Sequence, residues 1–364
     1  MSAVLVGREG QAVTDAELPD VVASRREVLR HNPLNAVTAA VERVGDARGG
    51  TLVRKELRAP VGPPDHPWAA SEDRRHWNYW RREADVYRDP DLRRSLHDTG
   101  LDLPGATVTE HDGGAVLWLE DVTGRPGTAF TLDDHVAVAT GLGRWQAQGP
   151  LRARWASAGF LREYSASKQV PWHLLDDDAA WDRPLVRDTW PAGLRDGWRR
   201  LLAHRAELLT LMERLPRTRC HLDVWVSNEI RRPTGEVVLL DWAFAGDGAV
   251  GEDVGNHVPD AVFDLFWPAE RIGELDVACF AAYLTGLREG GWRGARREVR
   301  LGVVASCVKY AWLLPLMLEQ AGRDAHHAYH QPADSGSLFH QRGLALAHLV
   351  AWCDEALALG GRAP

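Results

Sequence analysis

Lysine is almost missing from this chain: among 43 basic residues only Lys55, Lys168 and Lys309 are lysines. A genome rich in arginine codons accounts for the bias. Even so, a lysine kept against it marks a position where a planar guanidinium does not substitute for a compact ammonium. Cysteine is scarce too. Cys220, Cys279, Cys307 and Cys353 stand far apart with no CxxC or CxxH spacing, which argues against a zinc site or a disulfide framework and suits a reducing cytoplasm. There is no polybasic block, and the formal net charge is -8. Nonspecific nucleic-acid binding, which needs a basic surface to release counterions, is therefore not expected. MSAVLVGREG lacks the basic flank and the apolar length of a signal peptide. The apolar run from Leu301 to Leu318 is interrupted by Ser306, Lys309 and Pro315, so it reads as a buried helix and not a membrane span. A soluble, cytoplasmic protein without a membrane partner is expected, and no internal repeat or low-complexity tract is visible.

With 364 residues, 45% hydrophobic and 26% charged, the chain can build a large bilobal unit or two domains. Residues 16–31 read as a short helix followed by extended chain. Two β-like runs around GDARGG then predict a hairpin, and alternation in TLVRKEL puts Thr51, Val53, Lys55 and Leu57 on one face. Beyond a Pro-rich loop, Trp77, Trp80, Ala84 and Tyr87 recur at helical spacing, with Glu83 flanking that stripe. AVLWLEDV reads as a strand ending in acidic residues, and Thr131 is a candidate N-cap for the helix that follows. Helical sequence dominates from there, except around residues 220–228 and in EVVLLDWAFA, a buried-strand pattern ending at Asp241. The fold class is α+β, with the division near DVTGRPG at residues 121–130.

The stretch CHLDVWVSN packs a histidine, a carboxylate and an amide into an apolar run. Phosphoryl transfer from ATP needs a carboxylate to orient or deprotonate the acceptor hydroxyl and oxygen ligands for Mg²⁺, supplied in kinases by H-x-D-x-x-x-x-N. His221, Asp223 and Asn228 match that spacing, and Asp241 follows where a second metal-binding carboxylate is needed.

Taken with Lys55 and Glu83, these residues resemble the aminoglycoside phosphotransferase and choline kinase-like family, which shares the protein-kinase fold; the likeness runs from about Lys55 to Asn256. It implies a bilobal fold with a small β-rich N-lobe, residues 1–121, binding nucleotide, and a mainly helical C-lobe, residues 122–364, holding the catalytic loop and the acceptor. It further implies ATP and Mg²⁺ as cofactors and a small polar metabolite or antibiotic as hydroxyl acceptor. Asp223 then looks like the catalytic aspartate, Asn228 and Asp241 like the Mg²⁺ ligands, and Lys55 like the phosphate-binding lysine held by Glu83. His221 and Asp253, in GEDVGN, are similar to the loop's structural supports, and Leu119, Glu120, Asp121 and Val122 to the hinge beside the adenine.

Some positions depart from protein kinases. Leu222 replaces an arginine, Asp241-Trp242-Ala243 stands for D-F-G, and the glycine-free HNPLNAVT leaves Asn35 and Thr38 as candidate phosphate donors. Two alternatives follow: a kinase acting on Ser/Thr of a precursor peptide, and a degenerate kinase-like module that binds nucleotide or a partner without turnover. Other motifs are ordinary. Gly246, Gly248 and Gly251 satisfy G-x-G-x-x-G but lack the βαβ context of a dinucleotide site, and read as a turn into the helix with Asp253. LLDDDAAWD reads as a solvated face, though it could attract a cationic acceptor, and His326, His327 and His330 read as a polar loop. Trp172, Trp181, Trp190 and Trp198 could line an acceptor cleft or pack helices.

Overall fold

The computed structural model describes residues 4–6, 12–14, 21–47, 49–62, 66–328 and 331–361. In the N-terminal part, runs of period-two alternation assemble into an antiparallel sheet of order β2-β1-β7-β8-β5-β4-β3. Its strands are β1 (Val4–Val6), β2 (Ala12–Thr14), β3 (Val21–Val28), β4 (Thr38–Asp46), β5 (Thr51–Arg58), β7 (Ala106–His111) and β8 (Gly114–Glu120). β4 and β5 form the hairpin expected around GDARGG, and Lys55 and Leu57 face inward, 6% and 1% exposed. Of the short helix followed by extended chain expected over residues 16–31, the described part from Val21 is extended and holds no helix. There the chain is strand β3, because pairing along β4 overrides the local preference of an Arg/Glu-rich run. Residues 16–20 lie outside the described residues.

A second correction concerns the aromatic stripe. Helix α1 spans Arg82–Tyr87 only, and Trp77 and Trp80 precede it in turns. The cause is Arg82, fully buried, whose guanidinium donates to the carbonyls of Arg74, His76, Trp77, Trp155 and Ala243 at 2.6–3.0 Å. Carbonyls of residues 74–77 that a longer helix would have used internally are spent on this cation instead. Trp77 leaves the main core for a smaller aromatic cluster with Trp68, Phe160, Tyr164 and Phe244.

The remaining chain is mainly helical: α2 (Pro90–Leu96), α3 (Leu132–Gln146), α4 (Phe160–Ala166), α5 (Asp178–Trp181), α6 (Pro184–Arg187), α7 (Leu194–Ala203), α8 (Arg205–Arg214), α9 (Glu252–Phe263), α10 (Ile272–Glu289), α11 (Arg296–Ala305), α12 (Leu313–Gln320) and α13 (Ser335–Gly360). Thr131 stands at the N-cap of α3, where its N–H and hydroxyl both donate to Asp134 Oδ2 at 2.8 Å. Short strands interleave. β6 (Leu101–Asp102), β12 (Val237–Leu239), β11 (Glu229–Arg231) and β9 (Arg125–Pro126) make one sheet, and β10 (Arg217–Cys220) pairs with β13 (Gly246–Ala249). Thus GDGAVG is mostly strand, not turn; only Gly251, at φ 91°, turns the chain into α9. The strand expected to end at Asp241 stops at Leu239.

Arg296–Gln320 is apolar enough to cross a membrane by length and composition, yet 89% of its most apolar window is buried inside the fold; Ser335–Gly360 meets the same test at 44%. Core packing also takes the tryptophans of the α4–α7 region. Trp198 is buried and donates to Ala311 O, while Trp190 packs on Trp181 and Phe339.

Helices α3 and α10 approach closely because glycines meet backbone at the crossing. A Cβ on Gly286 would lie 2.1 Å from Thr140 O, and one on Gly143 would lie 2.3 Å from Tyr283 O. Gly286→Ala is therefore expected to destabilise by about 1–3 kcal/mol through overpacking. Gly273→Ala, on the same helix with open space around its Cβ, is the control that should not lower the melting temperature.

Candidate active site

Strand β5 and helix α1 aim Lys55 and Glu83 at each other, closing the gap between them in sequence. Lys55 Nζ lies 2.6 Å from Glu83 Oε2 and 2.8 Å from Asp241 Oδ1. Burial opposes the Lys55 charge, but the Asp241 and Glu83 carboxylates more than offset it and hold the ammonium above its ordinary pKa. Burial pushes Glu83 up to about 7, with Lys55 pulling the other way. For Asp241 burial also acts upward, yet the Lys55 charge and hydrogen bond win and its pKa is lowered.

The loop after β10 is fixed from behind. Asp253, on α9 and wholly buried, accepts from the backbone N–H of His221 and of Leu222, both at 2.8 Å, and from Gln146 Nε2 at 2.6 Å. Leu222 adopts a left-handed φ of 68°, a conformation that these bonds over-determine. His221 Nδ1 accepts from Asp223 N at 3.3 Å, and burial lowers its pKa to about 4, so the ring is neutral. Asn228 Nδ2 donates to Asp223 Oδ2 at 3.1 Å, and Leu240 N donates to Asn228 O at 2.8 Å, which ties the loop to the segment bearing Asp241. Asp241 itself is left-handed, at φ 58°, and its side chain is 42% exposed. Trp242 behind it is buried, 4.5 Å from the His221 ring and 5.6 Å from Trp145.

Asp223, Asn228, Asp241, Lys55 and Glu83 thereby border one cleft of about 660 Å³, which Asn35, Thr38, Leu119, Glu120, Asp121 and Val122 also line. His221 and Asp253 stay behind the loop. The Asp121 carboxylate takes bonds from Arg43 Nε and Thr51 Oγ1, and that of Glu120 from Arg232. Burial raises Asp223 to about 6, opposed first by Lys309, a proton affinity suited to a base at neutral pH.

Asn228 spends its amide N–H on Asp223, so its Oδ1 remains as an acceptor near the exposed Asp241 carboxylate. Among the described residues no three His, Cys, Asp or Glu side chains cluster as a metal cage. An amide oxygen and a carboxylate fit a hard cation such as Mg²⁺, which completes its shell with phosphate and water oxygens.

None of Trp172, Trp181, Trp190 and Trp198 lines the cleft; Trp181, Trp190 and Trp198 pack helices, and Trp172 is 41% exposed. The aromatic wall of the cleft is Trp68, Tyr164, Trp225, Phe244, Tyr310 and Trp312, with Asp260, Asp264, Lys309 and Arg342 on the same side. Sequence reading missed this wall. The signal available for it was the scarcity of lysine, since Lys168 Nζ sits over Trp68, Tyr164 and Trp312 at 4.1, 4.3 and 4.9 Å and Lys309 borders the cleft directly.

A sheet lobe with a Lys–Glu pair above a helical lobe with H-x-D-x-x-x-x-N and an adjoining aspartate defines a protein kinase-like phosphotransferase architecture. The amicoumacin kinase hAmiN, solved with AMP-PNP, Ca²⁺ and Ami, shares it at a TM-score of 0.50 and 14% identity over 93% of this chain and 90% of that one. The chain belongs to the phosphotransferase enzyme family, whose sequence model matches residues 92–297, and is an enzyme that transfers a phosphoryl group to a hydroxyl. Also similar are an aminoglycoside phosphotransferase from Alicyclobacillus acidocaldarius (TM-score 0.49, 18% identity, 91% and 92% covered) and the choline kinase LicA from Streptococcus pneumoniae (0.45, 15%, 90% and 94%). A comparison with curated protein sequences finds no match.

Asp253→Ala would strand three donors in the core, each costing about 1–3 kcal/mol when unsatisfied. A loss of several degrees in melting temperature is the expected outcome, with Asp253→Asn retaining part of the stability because its amide oxygen still accepts.

Proposed function

We propose that this enzyme transfers the terminal phosphoryl group of ATP to a hydroxyl of a small polar metabolite or antibiotic in the cytoplasm, with Mg²⁺ held by Asn228 and Asp241. The observation that carries the reading is the convergence of Lys55, Asp223, Asn228 and Asp241 on one cleft. The nucleotide complex of hAmiN supports nucleotide use, and four free, buried cysteines suit a reducing compartment. Bound Mg²⁺–ATP supplies the phosphoryl group and neutralises its charge; catalysis by the chain is positioning and electrostatics.

Residues 1–121 would bind nucleotide and residues 122–364 the acceptor. Lys55, held charged by Asp241 and Glu83, meets the phosphates from above. Asn35 and Thr38 offer polar groups where a glycine loop is missing, although Asn35 Oδ1 already accepts from Val37 N at 3.1 Å. The backbone of Leu119–Val122 receives the adenine. Asp223 accepts the proton of the acceptor hydroxyl, and its bond from Asn228 fixes which oxygen faces that hydroxyl. Retention of all three polar groups favours turnover over a binding-only module.

Asp223→Asn should lower Mg²⁺-dependent ADP release across a panel of sugars, amino alcohols, antibiotics and Ser-containing peptides by about 100-fold or more, the span typical of a lost general base. Binding of AMP-PNP should persist; unchanged turnover would remove Asp223 from this role. In the wild type, kcat/KM should fall tenfold per unit below pH about 6, where Asp223 becomes protonated and cannot accept a proton, and should be flat just above it. Any such limb that persists in Asp223→Asn belongs to another group.

A further inference from the structure

We infer that the acceptor carries an anion, a carboxylate or a phosphate, seated between Lys168 and Lys309. This rests on the reading of Asp223 as the base that meets the acceptor. Of the three lysines of a chain rich in arginine, Lys309 lines this wall and Lys168 packs over Trp68, Tyr164 and Trp312, rings that line it; both ammoniums lie over Tyr164, at 5.5 and 4.3 Å from its centroid. Lys309, in the turn Ser306–Tyr310 between α11 and α12, is 4% exposed and borders the cleft; its Nζ has a single hydrogen bond, to Leu222 O at 3.5 Å. Lys168, just beyond α4, forms no hydrogen bond or ion pair among the described residues and rests against three ring faces. Neither ammonium has a carboxylate partner there, unlike Lys55.

Among the other charged groups of the wall, Asp264 accepts from Trp225 Nε1 at 2.8 Å and Arg342 donates to Phe263 O, while burial raises Asp260 to about 7, opposed first by Lys309. Asp223 feels both lysines, with Lys309 the stronger. Burial and the neighbouring Lys309 lower Lys168 to about 7, so two desolvated cations repel each other and an entering anion relieves both. The aromatic faces that could cage a cationic acceptor are occupied by Lys168 itself. An acceptor cation would add a further positive charge beside the two lysines. An oxyanion instead receives two charge-assisted hydrogen bonds.

The test uses one skeleton with three charges: glucose 6-phosphate and glucuronate, glucose, and glucosamine, titrated calorimetrically at pH 7 onto the full chain with and without Mg²⁺ and AMP-PNP. The anions should bind roughly tenfold or more tighter than glucose, as expected for hydrogen bonds to charged groups, and glucosamine more weakly. Lys168→Met and Lys309→Met should each erase the preference. Tightest binding of glucosamine, or an anion preference that survives both Met variants, overturns the assignment. Failure to bind AMP-PNP overturns the proposed function instead, and the nucleotide-free titration still decides the anion seat.

Discussion

One buried ammonium joins the two lobes. Lys55 bridges Glu83 of the N-lobe and Asp241 of the C-lobe at 2.6 and 2.8 Å, and the buried Glu83 carboxylate is tolerable at its depth because the lysine is there. Removing one partner of a buried pair costs about 3–5 kcal/mol, so the alignment of the cleft depends on this triad. A compact ammonium can sit between two carboxylates approaching from different directions, a geometry that a planar guanidinium would reshape.

Behind the cleft a second device keeps the loop still. Asp253 gathers two consecutive backbone N–H groups and one side-chain amide, so that Leu222 holds a left-handed conformation it would not choose alone. The same bonds offset part of the cost of burying the carboxylate, whose pKa nonetheless rises to about 7. Asp223 and Asn228 project from this braced segment into the cleft while Asp241 enters from the turn beyond β12. Rigid support on one side and solvent on the other let one chain hold two carboxylates and an amide at the edge of one cleft.

Legibility in the sequence followed locality. The β4–β5 hairpin, the inward face of β5, the start of α3 at Thr131 and the H-x-D-x-x-x-x-N loop depend on spacing within a few residues, and all stand as read. The length of α1 did not, because Arg82 draws on carbonyls from Trp155 and Ala243 as well as its own segment. Strand β3 was misread in part for a like reason, its pairing with β4 being invisible in its own composition.

By itself the sequence determined the class of chemistry, since the donor types and their order along the chain restrict what the loop can do, and it marked three lysines as unusual. Only the tertiary structure decided which of those lysines is paired with carboxylates and which lie among aromatic rings. Lys55, Lys168 and Lys309 are alike in sequence; their different partners come from strands and helices distant along the chain, whose meeting is set by packing of the whole core and not by any local pattern.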